Sequence, residues 1–187
     1  MKKLFLVGAL ALFGAMNAQT EKGSWVVEGK TNLGFNSVST KVKYDGKSYD
    51  DGKVSTFNIS PSVGYFVMDN LALGLELNFL SAKSGDETNS TFSLLPNATY
   101  YFSTGSQFRP YLGAGVGYAS TTSKYNNLSA TVDGLAWGVK GGGVYMLNKT
   151  AGINIGLGYN QFSTTNNNAT TTVGTFGVNA GFSLFFK

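Results

Sequence analysis

From Trp25 onward the chain alternates apolar with small or polar residues at a period of two, in eight runs separated by polar stretches. A period of two sends successive side chains to opposite faces of an extended strand, so each run predicts a strand with unlike faces. In the first run, Trp25 to Val38, Trp25, Val27, Gly29, Thr31, Leu33 and Phe35 share a face, opposed to Glu28, Lys30, Asn32 and Asn36. The run from Leu71 to Ser81 is the clearest: Leu71, Leu73, Leu75, Leu77 and Phe79 alternate with Ala72, Gly74, Glu76 and Asn78. The others are 54–67, 91–102, 110–120, 134–147, 151–162 and 173–186, the last setting Phe176, Val178, Ala180, Phe182, Leu184 and Phe186 against Gly177, Asn179, Gly181 and Ser183.

The connections alternate in length. Met68-Asp69-Asn70, Asn148-Lys149-Thr150 and residues 103–108 are short, whereas 40–53, 82–90, 121–133 and 163–172 are long and polar. Short turns on one side and long loops on the other predict an up-and-down antiparallel barrel with both termini on the short-turn side. One hairpin echoes the next: Ser55-Thr56-Phe57 with Pro61, Tyr65 and Phe66 returns 35 residues later as Ser90-Thr91-Phe92 with Pro96, Tyr100 and Tyr101. Pro61 and Pro96 fall inside strands, where a missing N–H breaks a ladder, and β-bulges are expected there.

The first residues follow another logic. Lys2 and Lys3 precede the apolar stretch Leu4 to Phe13, and small residues lead to Ala18. This is the layout of a cleavable secretory signal peptide over 1–18, with an apolar segment too short to span a bilayer as a helix. The expected mature domain is 19–187. Losing Lys2 and Lys3 removes two from the formal charge of +4, and no block of like charge remains to suggest nucleic-acid binding.

Composition then decides between two β architectures. Charged residues are 13% of the chain, against about 25% in ordinary soluble domains. Alternating strands also build water-soluble sandwiches, but their outer faces carry Lys and Glu. Here one face of each run is apolar without a Lys, Arg, Asp or Glu, and the other holds Gly, Asn, Ser and Thr. That is what hydrocarbon outside and a narrow lumen inside require, and closure pairs every backbone polar group, as lipid demands. The expected fold is an eight-stranded antiparallel transmembrane β-barrel. Trp25, Tyr65, Tyr100, Phe102, Tyr145 and Phe186 fall near the short-turn ends of their runs, and Phe35, Phe57, Phe79, Phe92 and Tyr118 toward the long-loop ends, as two interfacial girdles would.

The stretch Arg109-Pro110-Tyr111-Leu112-Gly113-Ala114-Gly115-Val116-Gly117-Tyr118, the stretch Gly138-Val139-Lys140-Gly141-Gly142-Gly143-Val144-Tyr145 and the terminal Gly181-Phe182-Ser183-Leu184-Phe185-Phe186-Lys187 resemble the small outer-membrane β-barrel family of OmpX-, OmpW- and OmpA-type proteins. The resemblance covers 19–187 and implies export to the outer membrane of a double-membraned bacterium. It also implies contact with outer-membrane lipid and lipopolysaccharide, a monomer, and handling by periplasmic chaperones and the barrel-assembly machinery. The alternating Phe182, Leu184 and Phe186 resemble the family's C-terminal assembly signal, with Lys187 as a departure.

Cysteine and histidine are both absent, which excludes disulfides, thiolate nucleophiles and Ser-His or His-metal chemistry. Eight-stranded barrels that modify lipid A use histidine, so no enzyme of that kind and no cofactor are expected. Asp45-Gly46 and Asp50-Asp51-Gly52 fail the spacing of a calcium loop, and no metal is assigned. Four charges have lumenal phase: Glu28, Lys30, Glu76 and Lys140. Two carboxylates and two ammoniums in a narrow cylinder are expected to pair, because lone charges there are costly to desolvate. They could plug the lumen of a structural or surface-interaction barrel. Alternatively they could form the constriction of a narrow channel for small or hydrophobic solutes, as the OmpW-type resemblance implies.

Overall fold

The computed structural model describes residues 20–32, 41–44, 47–50, 54–103, 106–126, 128–166 and 169–187. The expected signal peptide lies outside these residues, as do Leu33, Phe35 and Asn36 of the first run. The elements are β1 (Trp25–Asn32), β2 (Lys41–Tyr44), β3 (Lys47–Asp50), β4 (Val54–Met68), β5 (Leu71–Ser84), β6 (Glu87–Tyr101), β7 (Phe108–Tyr125), β8 (Leu128–Met146), β9 (Ala151–Asn166) and β10 (Ala169–Phe186). Eight of them close a barrel in the order β1-β10-β9-β8-β7-β6-β5-β4, and all neighbours are antiparallel. β1 pairs with both β10 and β4 and so closes the barrel, while β10 and β4 run on past the last described β1 pairs at Asn179 and Ser60. Trp25 faces Phe186 across the seam and Tyr65 on its other side, which puts the start of β1 and the end of β10 on the side of the short 69–70 turn.

The predicted faces are the observed ones. Leu73, Leu75, Leu77 and Phe79 of β5 are exposed, as are Leu112 and Val116 of β7, Ile155 and Leu157 of β9 and Phe182 of β10. Such a continuous apolar wall exceeds what a soluble monomer tolerates. Its height can be read from the register. Row Leu71–Tyr100–Leu112 and row Phe79–Phe92–Ser120 are eight residues apart along the strands. That is about 27 Å of strand, or about 21 Å of height at a 40° tilt, close to the apolar band of an outer-membrane barrel. Aromatic residues bound it: Trp25 packs tilted against Tyr65 (5.0 Å) and Tyr100 edge-to-face against Phe102 (5.0 Å) at the short-turn end, and Phe57 lies 6.4 Å from Phe79 at the other.

Two expectations need correction. The stretches 82–90, 121–133 and 163–172 are not long loops, because β5 to β10 run on through them and turn tightly. β5 and β6 pair as far as Ser84 with Glu87, and β7 and β8 as far as Tyr125 with Leu128. The turns use Gly85 (φ 57) and Asn126 (φ 52), a left-handed conformation that these residue types tolerate. Hydroxyl pairs hold the projecting ladders: Ser81 with Ser90 (3.4 Å), Thr122 with Thr131 (3.0 Å) and Ser163 with Thr172 (3.2 Å). These stretches are polar because they leave the lipid, and their β-branched Thr residues favour strands. Within 40–53, likewise, β2 and β3 form a two-stranded hairpin.

The second correction concerns the prolines. The register between β4 and β5 is the same before and after Pro61, from Ile59–Phe79 to Ser62–Glu76, with the intervening pairs missing. Between β6 and β7 it is likewise the same from Leu94–Tyr118 to Asn97–Gly115, around Pro96. Each proline stays paired on its other side, Pro61 with Gly29 and Pro96 with Leu75. The missing N–H therefore opens a gap in one ladder and inserts no residue. The β4–β5 register shifts instead between Phe66 and Met68, next to the turn.

Candidate functional site

The barrel interior is where the chain gathers its buried polar groups, and it is layered. At the short-turn end the inward positions are apolar. Val26, Phe66, Ala72, Tyr101, Tyr111, Val144, Met146 and Phe185 form one buried cluster. Phe66 lies 5.6 Å from Tyr101, Tyr101 is 5.7 Å from Phe185 and 5.9 Å from Tyr111 between ring centroids. Expectation had given every lumenal position to small or polar residues, and this layer departs from it. Its signal was in the sequence: Tyr65-Phe66, Tyr100-Tyr101 and Phe185-Phe186 are adjacent aromatics, and at a period of two one member of each doublet must point inward.

Glu28 sits directly against this cluster, 4% exposed. Its Oε2 accepts from Lys30 Nζ (2.7 Å) and Ser62 Oγ (3.2 Å). Its Oε1 accepts from Asn154 Nδ2 (2.9 Å), Ser183 Oγ (2.9 Å) and the Tyr101 hydroxyl (3.3 Å). The carboxylate thus collects donors from five strands: β1, β4, β6, β9 and β10. Tyr111 donates to Asn154 Oδ1 (2.8 Å), and its ring centroid lies 5.2 Å from Lys30 Nζ. Lys30 is 6% exposed. Glu28 and Lys30 had been read as neighbours on one strand face; Tyr101, Tyr111, Asn154 and Ser183 had not been singled out, because their partnership spans up to 155 residues of sequence.

A second ion pair joins β5 to β8. Lys140 Nζ lies 2.7 Å from Glu76 Oε2, and the two side chains are 14% and 19% exposed. They border a cavity of about 50 Å³, also lined by Lys30, Ser60, Asn78, Leu95, Asn97, Asn160 and Asn179. Asn78 Nδ2 donates to Ser60 Oγ (2.8 Å), which continues the polar layer around the wall. Farther toward the long-strand end, Leu95, Ala119 and Ala136 pack with Phe162 in a second, smaller apolar cluster. The four lumenal charges therefore make two ion pairs, with Lys30 of the first bordering the same cavity as the second.

Small residues make room for the large ones. A Cβ at Gly142 would come within 2.8 Å of the Tyr111 hydroxyl and against the Ile155 carbonyl, and one at Gly156 would strike the same hydroxyl. The glycine-rich β8 and β9 thus accommodate a tyrosine from β7. The C-terminal Phe182, Leu184 and Phe186 lie at the seam opposite Gly29, Val27 and Trp25, while Phe185 points into the aromatic cluster.

The fold has counterparts elsewhere. A family model described as outer membrane protein beta-barrel domain matches residues 5–183. Among solved structures, the N-terminal β-barrel domain of Pseudomonas aeruginosa OprF aligns with a TM-score of 0.56 at 17% identity, over 88% of this chain and 98% of that one. Neisserial surface protein A aligns with a TM-score of 0.56 at 18% identity, over 86% and 93%. No curated protein sequence matches the chain.

Proposed function

The chain belongs to the outer membrane protein β-barrel domain family, and from that membership we propose a structural and surface-interaction barrel of the outer membrane whose interior blocks solute flow. The aromatic cluster of Phe66, Tyr101, Tyr111 and Phe185, closed over the Glu28 network, is the observation that carries this reading. An eight-stranded lumen is just wide enough for side chains to fill. Here two barriers of different kinds lie in series, an apolar floor and two ion pairs. The interaction surface is the projecting end. β5–β6 and β7–β8 continue five residues beyond the Phe79–Phe92–Ser120–Asp133 row, about 17 Å along the strands.

The competing reading, a narrow channel, draws support from the cavity beside Lys140 and Glu76. Planar-bilayer recording of the refolded protein separates the two. Wild type should show no discrete conductance steps; well-resolved steps from wild type overturn the plug. Because the floor lies beyond the charges, Glu76→Ala or Lys140→Ala alone should stay silent. Phe66→Ala with Tyr101→Ala should conduct, provided electrophoretic heat-modifiability shows the barrel is folded.

Two further readings follow from the same placement. Phe182, Leu184 and Phe186 sit on the last strand at the closing seam, so before closure they form the outer face of an unpaired edge. That supports their role as the signal read by the assembly machinery. Truncating Phe186 should lower the yield of folded barrel in cells more than refolding in detergent. Closure of the eight strands on themselves supports a monomer; sedimentation in detergent tests it.

A further inference from the structure

Both ion pairs reach the lumenal cavity, but they present different ends to it. Glu76 and Lys140 both line it, whereas of the first pair only Lys30 does. The Glu28 carboxylate borders a separate, smaller space beside Ser62 and Tyr101, and its oxygens accept from five donors. The Glu28–Lys30 pair is thus a dipole whose positive end faces the cavity. The cavity wall sets two ammoniums against one carboxylate.

The hydrogen bonds of the wall agree with that polarity. An ammonium carries three N–H donors. Lys30 and Lys140 each give one to their own carboxylate, and the Lys30 charge also lies over the Tyr111 ring. Their remaining N–H groups meet no acceptor among the described residues. The neighbouring amides do not supply one, because the carbonyl oxygens of Asn78 and Asn97 already accept from Asn58 and Thr99. On the same wall Asn179 Oδ1 is buried with no donor. Polar groups left unmatched in this way are costly, so the space favours an occupant that accepts from both ammoniums and brings a donor to Asn179.

Size and charge select the occupant. At about 50 Å³ the cavity has room for about four water-sized particles. One surplus ammonium on the wall matches a single negative charge. We propose that the cavity binds one chloride-sized monovalent anion between Lys30 and Lys140, together with water that donates to Asn179 Oδ1. The aromatic cluster closes the short-turn end, so the anion enters from the other. Lys30 is on β1 and Lys140 on β8, strands that are not neighbours in the barrel. The bound anion therefore ties opposite parts of the wall together through the lumen. The site goes beyond the plug and does not require it: a conducting barrel can bind the anion and a silent one can lack it, so bilayer recordings and anion binding fail separately.

Anion-dependent stability of the intact barrel tests the site. Protein in lipid vesicles is unfolded by urea in sodium chloride, sodium bromide or sodium gluconate at one ionic strength, gluconate being too large for the cavity. The folded fraction is read by electrophoretic heat-modifiability. Both halides should raise the folded-to-unfolded ratio above its value in gluconate along a saturating curve, about ten-fold once the halide stands at ten times its dissociation constant. Lys140→Gln should remove the gain. Gly158→Val makes the same test without touching a charge: a Cβ there meets nothing closer than 3.6 Å, so the strand accepts the side chain and its methyls occupy the cavity. Lys83→Gln with Lys124→Gln, exposed on β5 and β7, should keep the full gain. Chloride-35 NMR of folded wild type in detergent micelles should show broadening that bromide displaces, a readout independent of any variant's folding. The proposal is overturned if wild type gains nothing from chloride, if the gain rises without saturating as a general salt effect does, if it survives in Gly158→Val, or if bromide leaves the NMR line unchanged.

Discussion

Removing the ammonium of Lys30 is the sharpest perturbation of the interior. Glu28 and Lys30 are 4% and 6% exposed, and their charged atoms are 2.7 Å apart. At an effective dielectric constant of about 20, a contact of this length corresponds to about 6 kcal/mol of attraction, much of it offset by the desolvation of both ions. Lys30→Met keeps the length of the side chain and strands the carboxylate, a change that costs about 3–5 kcal/mol in buried pairs. The low end applies, because Ser62, Tyr101, Asn154 and Ser183 still donate to Glu28. Adding Glu28→Gln removes the stranded charge and should restore stability to within about 1 kcal/mol of wild type. The cycle should therefore show a coupling of about 2 kcal/mol or more. Urea unfolding in lipid vesicles, followed by the fluorescence of Trp25 and Trp137, measures all four proteins. A cost below about 1 kcal/mol for Lys30→Met, or two costs that simply add, would refute the view that Glu28 depends on Lys30.

The Glu76–Lys140 pair should behave differently. It is about two to four times more exposed and borders the cavity, so Lys140→Met should cost only about 1 kcal/mol in the same titration. Gly181→Ala should destabilise by about 1–3 kcal/mol, because its Cβ would meet the Gly29 carbonyl across the β1–β10 seam; hydrogen exchange should accelerate first in those two strands. Leu75→Arg, halfway up the exposed wall of β5, should cost about 2–4 kcal/mol in vesicles, whereas Ser81→Arg, in the hydroxyl row above the aromatic ring, should cost under about 1 kcal/mol. Equal costs at the two positions would contradict the membrane boundaries drawn here.

What could be read from the sequence follows from which interactions are local. The outward face is selected position by position by one solvent, so Leu73, Leu75, Leu77 and Phe79 announce themselves within a single strand. The strand count, the alternation and the closed antiparallel order all follow from that one face. Strand ends were legible only where a change of solvent coincides with a change of structure. At Asp69-Asn70 it does, but at Lys83 or Lys124 the chain leaves the lipid and remains in the sheet. The two ion pairs were half legible. Glu28 and Lys30 lie two residues apart on one face, but Lys140 reaches Glu76 from 64 residues away, and only the barrel's tilt and stagger bring them together.

The inward face is harder to read because its rule is not local. A lumen position is not required to be polar or small; the cross-section must be filled once. Tyr111 from β7 occupies space that Gly142 of β8 and Gly156 of β9 leave empty, and its hydroxyl ends on Asn154 of β9. Phe66 and Tyr101, equivalent positions of the echoed hairpins on β4 and β6, meet each other across that same section. Each strand alone gives an ambiguous inner face, because a glycine run on one is explained only by an aromatic on another. The consequence is a test of filling itself. Gly156→Ala should displace the Tyr111 hydroxyl and cost about 1–3 kcal/mol, and Gly156→Ala combined with Tyr111→Leu should recover most of that loss. If the alanine is as harmful with leucine at 111 as with tyrosine, the glycines of β9 serve some purpose other than receiving a neighbour's ring.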